Sequence, residues 1–465
     1  MITLKRRLAA AALLAAMLLA LPAGGTAKAA APFRDLVASA AILCEADSGM
    51  VLFERNMNVR HPADGLAKIM MLLIAAEACS EYEADPRRRV EMSGTAWDNI
   101  SANSATIGIS PGEEMPLLDL MYCAFVGGAS EACNMVAEHI AGSVDAFVRK
   151  MNARAREIGC TNTNFSNANG QYSPSQYTTA QDQFYILREA LSNPMFVEIS
   201  GTYRYAVGET NMTDSRNLTS SNSMLNTSGK YYYGPCSSGV ASATYEGGYS
   251  FAAFAEADGM ALISVVLGSD IIILDDESTQ MRNLTESRRL LEWGFSEFSW
   301  RTILSSSDLI AKAPIENGAG ADFVNLRPET SIQLLLDNDI PLDSFVRTVK
   351  IYSVENDEPL VAPVSAGDVL GEVTLTRNNV RYGPVKLVAN TNVELHRLVF
   401  IKMRILEVLA GKTARIVIVS LIALVAIYVG LVVRYNIIRR KRIRRIKAAK
   451  KKLVDGRHSG TWDDE

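Results

Sequence analysis

The chain has 465 residues, 48% of them apolar and 21% charged, with a formal net charge of −4. That length holds two or three domains, and that composition is globular rather than disordered. Basic residues concentrate between Arg434 and Lys452 and leave the rest of the chain acidic, which argues against nucleic acid and against electrostatic capture of anionic polymers by the main body.

The N-terminus reads as a signal peptide over residues 1–29. Lys5, Arg6 and Arg7 precede an apolar run from Leu8 to Leu21, and Ala27-Lys28-Ala29 is a small-residue cleavage site. From Ala41 to Asn56, two apolar runs flank a Ser48-Gly49 turn, the signal for a β-hairpin. After His61-Pro62-Ala63-Asp64-Gly65-Leu66-Ala67-Lys68, the run Leu72 to Cys79 is apolar almost all round. It predicts a buried helix with Asp64 as its N-cap. Residues three apart on a helix share a face, so Lys68 shares one with position 65, which is glycine. Asp64 and Lys68, one turn apart, can form an ion pair.

Ile107 to Glu113 reads as a strand and turn, followed by a helix from Leu117. Gly128-Ala129-Ser130 then precedes a helical stretch, Ala132 to Ile140, with Ser130 placed to cap it ahead of Glu131. Ala146 to Ile158 is amphipathic, Asn164 to Gly170 is turn-rich, and Thr178 or Thr179 caps a helix with Asp182 in its first turn. Ser237-Ser238-Gly239 lies upstream of an apolar strand, Ala261 to Gly268. Residues 295–392 alternate in short runs and predict a small all-β domain. An amphipathic helix is predicted over 394–411. A stretch without charge, Ile416 to Val433, predicts a transmembrane helix over 414–434, and the basic tail 435–465 that follows at once is expected to be disordered and cytoplasmic. Cys44, Cys79, Cys123, Cys133, Cys160 and Cys236 have no disulfide-framework spacing and read as buried apolar residues. Only His61 and His139 fall in the main domain, without metal-ligand spacing, so neither a metal, nor a cofactor, nor a Ser-His-Asp triad is expected.

The stretch around Lys68 resembles the D-alanyl-D-alanine carboxypeptidases, the low-molecular-mass penicillin-binding proteins. In that family Pro-Ala-Ser-x-x-Lys opens the core helix, with the serine as nucleophile and the lysine beside it. Lys68 is retained; the serine slot falls on Gly65 or, because the spacing from Pro62 is one residue longer, on Asp64. The family's second motif, Ser-x-Asn, aligns on Gly128-Ala129-Ser130, and its third, Lys-Thr-Gly, on Ser237-Ser238-Gly239. Ala362 to Val373 resembles the family's C-terminal β domain. The resemblance covers roughly Ala41 to Val388. It implies a β-lactamase/transpeptidase-like antiparallel sheet flanked by helices with a helical subdomain over 32–292, then the small all-β domain and one transmembrane helix.

All three motifs depart from the family pattern. The resemblance therefore implies a bacterial cell-wall protein, membrane-anchored with its body outside, that binds a peptidoglycan stem peptide or another cell-wall or division protein without catalysis. The alternative is an active D-alanyl-D-alanine carboxypeptidase with a displaced serine, Ser130, Ser237 or Ser238, acting near Lys68. Such sites tolerate errors of only ~0.5 Å, which weighs against it.

Overall fold

The computed structural model describes residues 33–273, 279–410 and 412–455. The predicted signal peptide and the last residues of the tail lie outside them.

The predicted hairpin is present as β1 (Ala40–Glu45) and β2 (Val51–Arg55), paired antiparallel. Far along the chain follow β3 (Cys236–Thr244), β4 (Gly248–Ala257) and β5 (Met260–Ser269). Together they form a five-stranded sheet in the order β2-β1-β5-β4-β3, with antiparallel pairing throughout. The first strand therefore sits in the middle, where both of its faces are buried. Period-two alternation sends Ala40, Ile42 and Cys44 into one core and Ala41 and Leu43 into the other. Leu284, Leu290 and Leu291 of helix Arg282–Glu297 pack in the second core.

The first core is built on α1 (Ala67–Ser80), whose residues are buried around nearly its whole circumference. An all-round apolar helix has no solvent face to offer, so it is the centre of a layer rather than its edge. Around it lie α2 (Leu117–Phe125), α3 (Ser130–Ala141), α4 (Val144–Ile158) and α5 (Ala180–Ala190). Local chemistry sets their ends. Gly142 ends α3 at φ 77°, Ser143 caps α4 by accepting from the Ala146 amide, and Thr179 caps α5 by accepting from Asp182.

The chain divides into two compact units. The first runs to Arg301 and takes in Gln333–Leu342; the second holds Thr302–Ile332 and the chain from Asp343. The second unit contains a six-stranded sheet, with strands Val380–Ala389 and Phe323–Pro328 at its centre. Helix Arg397–Ala410 exposes Leu398, Phe400, Ile401, Met403, Ile405 and Leu406. A further helix, Lys412–Asp455, is long and apolar enough over Arg415–Ala449 to cross a membrane. It corrects one expectation: the basic tail is helical as far as Asp455. No Gly or Pro follows Gly430 in that stretch, and Arg, Lys, Ala and Ile propagate a helix that the apolar stretch before them has already nucleated.

Candidate functional site

The site forms where the start of α1 meets β3 and the start of α3. Ala63 leads into a 3-10 turn, Asp64–Leu66, which runs directly into α1. The residue that lengthens the Pro62-to-Lys68 spacing is absorbed at Asp64, whose backbone lies in the left-handed region at φ 42°. Asp64 is therefore no N-cap and makes no capping hydrogen bond. Its carboxylate, 4% exposed, turns to the sheet and accepts a hydrogen bond from Thr244 Oγ1 at 2.5 Å. Oδ1 has no partner. Burial pushes this carboxyl above its ordinary range, and the Thr244 hydroxyl opposes the shift. Next along the turn, the Gly65 amide donates to Ser242 Oγ at 2.9 Å.

Lys68 is 9% exposed and donates to the carbonyl oxygen of Gly128 at 2.6 Å. No ion pair joins it to Asp64 or to any other acid among the described residues; the expected Asp64–Lys68 pair gives way to one partner on the strand and one on the helical layer. Gly128 lies at φ 66°, which reverses the chain ahead of α3. Ser130 is the first helical residue and not the cap. Ala129 holds the cap position without a side-chain bond, and the Ser130 amide donates to Ala105 O at 2.8 Å. Glu131, fully buried, fastens the facing loop by accepting from the amides of Ile107, Gly108 and Ile109. Cys133 lies close enough to feel the Lys68 charge, but burial pushes its thiol up to about 11, so it supplies no thiolate near neutral pH.

The structure brings Gly65, Lys68, Gly128 and Ser130 to one place and separates the Ser237-Ser238-Gly239 triplet from Gly65. Ser237 is exposed. The Ser238 hydroxyl is buried against Ser200 Oγ at 2.6 Å. Gly239, at φ 144°, allows close approach of the neighbouring strand at Ala252. The strand residues that reach the start of α1 are Ser242 and Thr244, two apart and hence on one face. Sequence reading missed both. Counting back in twos from the Gly247-Gly248 turn would have reached them, since Thr244 Oγ1 also accepts from the Gly247 amide at 2.9 Å. Among the described residues, no group of three or more His, Cys, Asp or Glu side chains is placed to hold a metal ion.

A central antiparallel sheet, a core helix opening with a lysine that faces a helical subdomain, and a β-rich unit downstream define a penicillin-binding type of protein. Comparison with known sequences gives the family itself. Residues 26–271 match the D-alanyl-D-alanine carboxypeptidase family, and the chain belongs to it. It is 27% identical over 343 residues to the D-alanyl-D-alanine carboxypeptidase DacF of Bacillus subtilis, a match covering 73% of this chain and 82% of that protein. With DacC of Escherichia coli the identity is 26% over 363 residues, covering 77% and 84%. The fold is similar to penicillin binding protein 5 of Haemophilus influenzae (TM-score 0.55, 22% identity, 77% of this chain and 98% of that one). It is also similar to a peptidoglycan synthesis regulatory factor, PBP3, of Streptococcus pneumoniae (TM-score 0.56, 21% identity, 77% and 100%).

Proposed function

We propose that this protein is a membrane-anchored, non-catalytic member of the family that binds the stem peptide of peptidoglycan in place of cleaving it. The observation that carries the reading is at position 65. Three residues ahead of Lys68, where the family's nucleophilic serine belongs, stands a glycine, and the Lys68 ammonium is engaged by the Gly128 carbonyl rather than by a hydroxyl. Without a nucleophile, neither a D-alanyl-D-alanine peptide nor a penicillin can acylate the protein by the family's route. The other two motif positions support it. Gly128 offers no side chain, and Ser237 offers no ammonium for a terminal carboxylate. Anchoring rests on the apolar helix Arg415–Ala449 and on the arginines from Arg434 onward, which favour a cytoplasmic tail.

The displaced-serine reading has less to support it: Ser238 is committed to Ser200, and Ser130 is 4% exposed at the start of α3. The test pairs two measurements on the full chain in detergent. Fluorescent penicillin should leave no covalent band, while muropeptides ending in D-alanyl-D-alanine should bind reversibly and saturably. A covalent band overturns the loss of catalysis. Absence of muropeptide binding overturns the stem peptide as ligand and favours a protein partner.

A further inference from the structure

We infer that the cleft's hydroxyl has been transposed: Ser242, on β3, occupies the space of a side chain at position 65, and the two side chains exclude one another. This rests on the reading of Gly65 as the vacated nucleophile slot. A Cβ built on Gly65 would lie 2.9 Å from Ser242 Oγ, 3.1 Å from its Cβ and 3.6 Å from its Cα. The first separation is closer than real Cβ contacts come, and the second requires the neighbour to give way. The Gly65 backbone lies outside the left-handed region, so conformation does not demand glycine here; space does. Ser242 also accepts the Gly65 amide hydrogen, so the same oxygen fills both the slot and the backbone donor beside it. An outside carbonyl or carboxylate oxygen that would use this amide must first displace Ser242.

The neighbourhood holds this arrangement in place. Two residues further along the strand, Thr244 grips Asp64. Gly247 lies so close that a Cβ there would stand 1.9 Å from Asp64 Oδ2. Gly170, at φ 77°, would place a Cβ 2.7 Å from Asp64 O and 2.8 Å from Gly65 Cα. The turn 64–66 therefore has little room to move away from an added side chain at 65. Ser242 is accordingly a positioning residue that keeps the slot closed.

The experiment is a double-mutant cycle in the full chain in detergent, with Gly65→Ala, Ser242→Gly and the pair. Gly65→Ala alone is expected to lower the unfolding midpoint by roughly 2–8 °C. In the Ser242→Gly background the same change should lower it by less than half as much. Equal losses in both backgrounds overturn the inference. A separate readout covers poor folding of the glycine variant. Ser242→Ala removes the acceptor of the Gly65 amide, and the peptide spanning Gly65 should exchange hydrogen faster; unchanged exchange also overturns it. A penicillin adduct mapped to Ser242 would overturn both the positioning role and the non-catalytic reading. Additive losses without any adduct would overturn the inference alone.

Discussion

Two of the places where the first unit buries ionised or ionisable groups treat them differently. Glu113 is fully buried at the edge of the helical layer and is completely matched. Arg216 reaches both carboxylate oxygens, at 2.6 and 2.9 Å, while Thr210, Thr213 and the Ser110 amide take further positions around it. Burial alone would raise this carboxyl, but Arg216 and the surrounding donors overcome it and hold it down to about 2. At the start of α1 the opposite holds. Asp64 has one oxygen bonded and one without a partner, and Lys68 has a carbonyl but no counter-charge among the described residues. A scaffold charge survives burial because its partners surround it. Asp64 Oδ1, and Glu131 Oε2 at the start of α3, are left without a partner among the described residues, so this corner of the unit is part-matched where Glu113 is not.

The largest effect is expected at the matched pair. Arg216→Ala strands a buried carboxylate and should cost about 3–5 kcal/mol, read as a fall in the denaturant midpoint of the full chain in detergent. A loss below about 1 kcal/mol would mean that the pair is no better matched than a surface ion pair. At the cleft, Thr244→Val leaves Asp64 without its hydroxyl donor. The expected cost is about 1–3 kcal/mol by the same measurement.

The two carboxyls should also tilt the pH profile in opposite directions. Asp64 is raised in the folded state, so the folded chain keeps a proton that the unfolded chain has released. Its contribution is present in acid and is lost as pH climbs from the ordinary carboxylate range through the raised value. Glu113 is depressed, so its contribution is present above the ordinary glutamate value and is lost as pH falls toward about 2. Asp64→Asn should abolish the first slope and leave the second. A pH titration of the unfolding midpoint in which Asp64→Asn and the parent superimpose would remove Asp64 from the account. The smallest effect is expected at Lys68. Lys68→Met replaces an ammonium without a counter-charge by an apolar side chain of similar length, and stability should change by less than about 1 kcal/mol or rise. A loss as large as that of Arg216→Ala would show that Lys68 is as fully matched as Glu113.

Much of this was legible in the chain because it is local. The hairpin through Glu45 and Val51, the all-round apolar helix after Lys68, the Thr179 cap and the uncharged stretch from Ile416 each carry their signal within a few residues. The position of Gly65 relative to Lys68 was legible for the same reason, since helical spacing fixes a shared face. What the sequence by itself determined is therefore these local elements, their order and the absence of a side chain three residues ahead of Lys68. Only the tertiary structure decided how the slot is filled. Asp64 is separated from Thr244 by 180 residues, and Gly65 from Ser242 by 177, so no local period relates them. An extra residue ahead of Lys68 can be absorbed by one left-handed backbone angle, which moves Asp64 from the predicted cap to the strand. The side of β3 that meets the helix is set by pairing register, and a shift of one residue turns every side chain to the other face. That register turns Ser237 to the other face, while Ser238 shares the face of Ser242 but lies four residues back along the strand, against Ser200, so Ser242 is the serine that meets Gly65.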